Sequence, residues 1–295
     1  LSASIGVAMV PTGAVIDEIM SLADEALATA KASGKNQTVV FRPDSTGSAQ
    51  ARNVWPSRIK AAAVQGNLVL HYQPIVRLDD NGVEYSEAFL RMKGTKDRLL
   101  YPSEFLPHAY RFGLTPELDL WVTRSVLHRM AVNRGLRVAV NLSGQTLQDR
   151  EVLSSIERAV AERRPRPGDL TFEISESTAV QDLHRMNDWI QRMKQLGCRF
   201  ALDDFGTGAS SFEHLRSLSV DTVKIDGSYI RTLLSDPSCL AFVDAINSLC
   251  SSLGMVTVAE CVETPAVAEM LARIGVRFGQ GYLWGRPTAI DGLRM

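Results

Sequence analysis

Two adjacent carboxylates, Asp203 and Asp204, end an apolar run that begins at Cys198, and a turn built on Gly206 and Gly208 follows them. A buried strand that stops at paired acids and a glycine loop is a place to hold a hard cation. The same letters are ordinary turn vocabulary, so the rest of the chain decides between a cation site and a polar strand cap. Other β-like runs carry comparable groups: Glu87, Asn141, Glu173, Lys224, Glu260 and Gln280. Brought to one cavity, Glu87, Glu173, Asp203, Asp204 and Glu260 could not all ionise without compensation. Oxygen donors from Asp, Glu and Asn, without His or Cys, favour Mg²⁺ or Mn²⁺ over zinc. The ligand count suits two ions, and a pair roughly 3.5–4 Å apart is the usual arrangement for in-line phosphoester hydrolysis. Asp203 or Asp204 is the natural bridge. Lys224, held among acids, can orient or help deprotonate an attacking water and stabilise charge developing on phosphate.

Such groups converge only if strands carry them to one end of a sheet. Eight strand candidates are visible, at 68–76, 85–91, 137–143, 170–175, 198–204, 221–226, 255–261 and 276–283. Helical patterns fill most gaps, for example 117–133, 178–196 and 237–253. The link from Arg77 to Glu84 has room only for a hairpin turn, so the first two strands should pair antiparallel. Val138, Val140 and Leu142 alternate with Ala139, Asn141 and Ser143; Leu170, Phe172 and Ile174 alternate with Thr171, Glu173 and Ser175. Val223 and Ile225 alternate likewise with Thr222, Lys224 and Asp226. In a sheet covered by helices the polar faces need a purpose, and a barrel lumen opening at the strands' C-terminal ends provides one. The expected fold is an α/β (β/α)8 barrel of the TIM type with an irregular antiparallel first strand. An open doubly wound sheet is the alternative.

Ahead of the barrel, residues 1–42 read as a small α/β fragment: a strand at 2–10, an amphipathic helix at 15–32 and a strand at 37–41. Two strands and a helix cannot bury a sufficient core alone, so the fragment is read as a domain's tail. Residues 43–53 are polar, rich in small side chains and aperiodic, which reads as a linker before a barrel domain at 54–295. A chain opening on Leu1 is expected to come from the interior of a longer protein.

Bulk properties narrow the classes. Hydrophobic content of 45% and charged content of 22% describe a soluble globular protein. With 32 Lys and Arg against 33 Asp and Glu, no global field draws in a nucleic acid polymer or a membrane surface. Cys198, Cys239, Cys250 and Cys261 lack paired spacing and read as reduced thiols of a cytoplasmic chain. No apolar run reaches the roughly 20 residues of a membrane span, although a longer parent could carry a tether upstream. Arg163-Arg164-Pro165-Arg166 reads as a solvated loop before a strand.

The words themselves are distinctive. They are YQPIV at 72–76, EAFLR at 87–91, NLS at 141–143, FEISES at 172–177, DDFGTGASS at 203–211, VKID at 223–226, AECVET at 259–264 and GQGYLWGRP at 279–287. In that order they resemble an EAL domain, a phosphodiesterase specific for cyclic di-GMP, from about Ile59 to the end. SASIGVA and LADEALATAKASGKNQTVVF, ahead of the linker, resemble the C-terminal end of a GGDEF domain.

The resemblance implies that Glu87, Asn141, Glu173 and Asp203 ligate one metal, and Asp203, Asp204 and Glu260 the other. Lys224 matches the lysine that assists the nucleophilic water, so Lys224, Glu87, Glu260 and Asp203 are the implied catalytic set. Glu176, Glu263 and Asp226 match acids set behind the ligands, Glu176 holding the loop after Asp204. Gln73, Arg91 and Gln280 fall at positions of substrate contact. The implied reaction opens one phosphodiester of cyclic di-GMP to give linear pGpG. The implied partners are a second copy, through the loop from Phe205 to Ser211 and the following helix, and upstream sensory and GGDEF regions.

Phe89 stands where the family has leucine, Met92 where tryptophan is common, Tyr110 where an acid is usual, and Cys261 where it has glycine. None of these removes an implied ligand. The alternative class is a catalytically weak or silent cyclic di-GMP receptor. Silent members typically lose metal ligands or the DDFGTG loop; this chain keeps both.

Overall fold

The structure, a computed structural model, describes residues 3–9, 23, 26–27, 30, 38–41, 54–94, 98–179, 183–206 and 212–290. The expected linker at 43–53 lies outside the described residues. Two compact units are present, one from residues 1–69 and 91–114, the other from residues 70–90 and 115–295.

In the first unit, β1 (Ile5–Ala8) pairs in parallel with β2 (Thr38–Phe41). A parallel pair needs a crossover. Ala23, Ala26, Leu27 and Ala30 are helical, with Ala26 and Ala30 buried. A Cβ on Gly6 would collide with the backbone of Ala23 and Leu27, so only glycine permits this approach of strand and helix. The same unit holds α1 (Val54–Val64), β5 (Leu99–Leu100) and α2 (Pro102–Arg111). Trp55 of α1 stacks on His108 of α2 at 4.7 Å between ring centroids.

The second unit contains the barrel. Its strands are β3 (Leu68–Arg77, from Leu70 onward), β4 (Val83–Lys93, up to Leu90), β6 (Val138–Leu142), β7 (Leu170–Ser175), β8 (Arg199–Phe205), β9 (Thr222–Ile225), β10 (Val256–Ala259) and β11 (Phe278–Gln280). The ladder runs β3-β11-β10-β9-β8-β7-β6-β4, and β3 also pairs with β4, which closes the ring. All pairs from β4 through β6 to β11 are parallel, whereas β3 runs antiparallel to β11. This is the eight-stranded α/β barrel with a reversed first strand that the alternation predicts. The reversal is made at the turn after β3, where Asn81 takes a left-handed φ of 56° and Arg77 N donates to Gly82 O at 2.9 Å.

Helices separate the strands: α3 (Thr115–Val132), α4 (Gly144–Gln148), α5 (Arg150–Arg163), α6 (Glu176–Ala179), α7 (Leu183–Gln195), α8 (Phe212–Ser217), α9 (Gly227–Ile230), α10 (Pro237–Ser252) and α11 (Pro265–Arg273). Of the helix expected over 178–196, α6 and α7 are described; residues 180–182 lie outside the described residues. β5, paired with β4 at Met92 and Lys93, was not anticipated, because two residues carry no readable period. The outward faces behave as read: Val138, Val140, Leu170, Phe172, Ile174, Val223 and Ile225 are buried. Trp189 of α7 wedges against them, 5.9 Å from the Phe172 ring and 5.5 Å from Phe200.

One buried polar tie fixes the end of β6. Asp119 on α3 accepts from Ser143 N at 2.7 Å and from Thr146 Oγ1 at 2.6 Å. Burial pushes its carboxyl up to about 6, while those hydrogen bonds pull the other way. Asp119→Ala leaves Ser143 N without its partner and is expected to lower stability by about 1–3 kcal/mol, read by urea unfolding.

Candidate active site

The two acids at the end of β8 would ordinarily point to opposite faces. The ladder between β8 and β9 slips there: Leu202 pairs with Val223, but the next partners are Phe205 and Ile225. Three steps on β8 therefore answer two on β9, which is a β-bulge. Asp204 occupies it with a φ of 56°. As a result Asp203 and Asp204 both offer a carboxylate oxygen to the same point as Glu260, all within 4.8 Å of one another.

Lys224, on β9 opposite the bulge, is the hub of the lumen. Its Nζ lies 2.8 Å from Glu173, 2.9 Å from Glu260, 3.0 Å from Glu87 and 3.0 Å from Asp203. Its side chain is only 1% exposed. Burial alone would depress the ammonium, but Asp203, Glu173, Glu260 and Glu87 outweigh it and hold the group protonated well above the usual lysine range. The acids feel the reverse. Glu173 is raised well above the carboxylate range by burial, with Glu87 and Asp203 adding and Lys224 opposing. Burial likewise pushes Glu260 up to about 8 against Lys224.

One ammonium balances one of the four carboxylates it touches, and Asp204 adds a fifth acid. Protons on Glu173 and Glu260, or further cations, offset the remaining charge. Glu173 Oε1 is buried without a hydrogen-bond partner, and Asp203, Asp204 and Glu260 already gather their oxygens. Hard oxygen donors of this number fit Mg²⁺ or Mn²⁺.

The remaining implied residues take definite places. Asn141 donates Nδ2 to Glu87 Oε1 at 2.6 Å. Gln280 donates to Glu87 Oε2 at 2.8 Å and to Gln73 Oε1 at 3.3 Å, while Gln73 donates to Gly285 O at 3.0 Å. Glu176 accepts from Gly206 N at 2.9 Å, and Tyr229 Oη donates to Gly206 O at 2.6 Å, so the first residue after β8 is held from both sides. Gly206 itself needs its φ of 98°. Asp226 caps α9 through Ser228 N at 2.9 Å. Glu263 is exposed on the cavity wall. Arg91 belongs to the first unit, where its guanidinium stands 5.0 Å over the Tyr101 ring. The loop at 207–211 lies outside the described residues.

Glu87, Asn141, Asp203, Lys224, Glu260 and Gln280 line a cavity of about 360 Å³ that also includes Phe89, Arg231, Cys261 and Tyr282. Arg231 and Tyr282 were missed in the sequence, where nothing distinguishes an arginine after a short helix or one more aromatic. Arg231 donates to Cys261 Sγ at 3.0 Å; Tyr282 is 51% exposed with Arg286 4.0 Å over its ring. Cys261 has a φ of 54°, so the residue where the family has glycine sits in a conformation that favours glycine. Gly227 lies against it, and a Cβ there would strike the sulfur. Cys261→Gly is expected to stabilise the fold by about 1 kcal/mol by relieving that backbone, measured by thermal unfolding beside the parent chain.

Comparison with known proteins agrees with this geometry. The family model described as EAL domain matches residues 57–287. The cyclic di-GMP phosphodiesterase PdeB of Shewanella oneidensis is 35% identical over 280 residues, covering 92% of this chain and 33% of PdeB. MucR of Pseudomonas aeruginosa, a bifunctional diguanylate cyclase/cyclic di-GMP phosphodiesterase, is 33% identical over 299 residues, covering 99% of this chain and 44% of MucR. The chain therefore spans less than half the length of either relative. Among solved structures, the PaMucR phosphodiesterase in complex with c-di-GMP superposes with a TM-score of 0.75 at 32% identity, covering 81% of this chain and 98% of that one. The FimX EAL domain from Pseudomonas aeruginosa bound to c-di-GMP gives a TM-score of 0.73 at 27% identity, covering 79% and 96%.

Proposed function

This chain belongs to the EAL domain family, and on that premise we propose that it hydrolyses cyclic di-GMP to linear pGpG in bacterial second-messenger signalling, using two Mg²⁺ or Mn²⁺ ions. The observation that carries this reading is Lys224 enclosed by Glu87, Glu173, Asp203 and Glu260, with Asp204 brought alongside by the bulge. The phosphodiesterase names of PdeB and MucR support the reaction, and the c-di-GMP complexes of PaMucR and FimX support the ligand.

Glu87, Asn141, Glu173 and Asp203 would hold one ion, and Asp203, Asp204 and Glu260 the other. When bound, the pair supplies positive charge to the phosphate and an acidified water. The chain's own residues do the rest. Gln280, tied to Gln73 and to Glu87, holds the dinucleotide over the acids together with Gln73, and Arg91 is assigned a substrate contact by the family pattern. Lys224 orients or helps deprotonate the attacking water and stabilises charge on the phosphate oxygens. The attacking water gives up a proton as its oxygen bonds to phosphorus, the bond to the 3′ oxygen breaks, and a proton passes to that oxygen, which leaves as a hydroxyl. Glu176 keeps the bulge in register through Gly206.

The parallel β1–β2 pair with helical residues between them supports reading residues 1–42 as the end of a GGDEF-type domain. The four free thiols support a cytoplasmic setting, and among the described residues no helix is long and apolar enough to cross a membrane. A second copy is assigned to the segment after Phe205 and to α8. The function is tested by following cyclic di-GMP loss with excess Mn²⁺ and with EDTA. Loss that needs the metal and yields pGpG supports the proposal; an unchanged substrate under both conditions contradicts it.

A further inference from the structure

At the opposite end of the strands, where α3 and α5 run out before β6 and β7, lies a second cavity of about 370 Å³. It is lined by Arg134, Arg163, Arg164 and Arg166, all exposed, over an apolar shelf of Leu127, Met130 and Pro165. Its one acid, Asp169, lies 3.7 Å from Arg137, which also pairs with Glu84 at 2.6 Å. Among the described residues, none of the four lining arginines has a carboxylate partner. In a chain of net charge -1 this is a concentrated positive site.

A simpler role for these arginines is to complement the C-termini of α3 and α5. Each helix end contributes about half a negative charge. Two ends cannot balance four guanidiniums, so most of the positive charge is left over. The backbone presenting it is fixed. Arg164 caps α5 in a left-handed conformation with φ 45°, its N–H bound to Val160 O at 2.8 Å. Pro165 follows, and Asp169 N closes the turn onto Arg166 O at 3.0 Å. Guanidinium forks presented from such a turn match phosphate oxygens two at a time. The apolar shelf and a volume within the range of small-molecule sites leave room for a flat organic body beside the phosphates.

We propose that this cavity binds a phosphorylated nucleotide, with Arg134, Arg163, Arg164 and Arg166 holding its phosphates, at a site separate from the catalytic lumen. The test is calorimetric titration of the whole chain with GTP and with inorganic pyrophosphate, in EDTA at low salt, beside an Arg134→Ala/Arg166→Ala variant. Thermal unfolding and cyclic di-GMP turnover of the variant, measured with Mn²⁺, are expected to match the parent and so report an intact barrel. GTP should bind the parent, weaken with added salt, and bind the variant roughly tenfold more weakly or worse. Pyrophosphate binding as tightly as GTP would place recognition on the phosphates alone and support the site; weaker binding would assign the shelf to the base. The proposal is overturned if neither probe binds, if parent and variant bind alike, or if the parent binds only vesicles of phosphatidylglycerol in phosphatidylcholine. The last result would give the arginines to a lipid surface.

Discussion

Lys224→Ala is expected to lower cyclic di-GMP turnover by about 100- to 1,000-fold and to destabilise the fold by about 3–5 kcal/mol without added metal. Both effects follow from one geometry. Four carboxylates lie 2.8–3.0 Å from the buried ammonium, so its removal leaves them facing each other. They must then take up protons or move apart. Urea unfolding with and without Mn²⁺ separates the two roles. Metal should restore much of the stability by supplying positive charge, whereas turnover should stay low because no residue replaces the lysine at the phosphate. A variant as stable as the parent without metal would mean that the four ion pairs do not exist in solution.

The second large effect is at a residue that touches neither substrate nor the gathered oxygens. Glu176→Ala should reduce kcat by about 100-fold, because displacing a catalytic group by about 1 Å suffices for such a loss. Among the described residues, Glu176 reaches the bulge through Gly206 N, and the bulge is what turns Asp203 and Asp204 to one side. The isosteric Glu176→Gln keeps an oxygen able to accept from Gly206 and should retain activity within a few-fold. A purely structural role would lower thermal stability in proportion to activity. A positioning role predicts that kcat falls in the alanine variant while KM for cyclic di-GMP stays close to the parent's.

The barrel was legible because its strands alternate cleanly. Val138/Val140/Leu142 against Ala139/Asn141 is a two-residue period that a helix cannot satisfy, and the short link after Arg77 dictated the reversed first strand. Asn141, Glu173 and Lys224 could be placed in the lumen by the same parity, and Glu87 and Gln280 by reading the remaining strands in order. Parity also has a limit, and Asp203 with Asp204 marks it. Neighbours on a regular strand face apart, and only the extra residue of the bulge, with Asp204 at positive φ, lets both serve one point. A bulge is a pairing event between two strands and leaves no period in either. Arg231 and Tyr282 were unreadable for a related reason, since they reach the cavity through barrel closure and not through any pattern of their own. The arginine run at 163–166 was visible as charge, but its cavity needs Arg134 from another helix end. The strain at Cys261 could be anticipated only as a departure from a family glycine; its φ of 54° supplies the physical reason.

The central claim is that the acids around Lys224 hydrolyse the substrate rather than only hold it. The direct measurement is to incubate the chain with cyclic di-GMP and Mn²⁺ in water enriched in oxygen-18, beside Glu87→Ala, and to analyse the products by mass spectrometry. The account predicts pGpG carrying solvent oxygen on its terminal phosphate from the parent chain, and none from the variant. Bound but intact cyclic di-GMP in the parent, or equal product from Glu87→Ala, would contradict it; the first result would make the domain a receptor and the second would move the chemistry elsewhere.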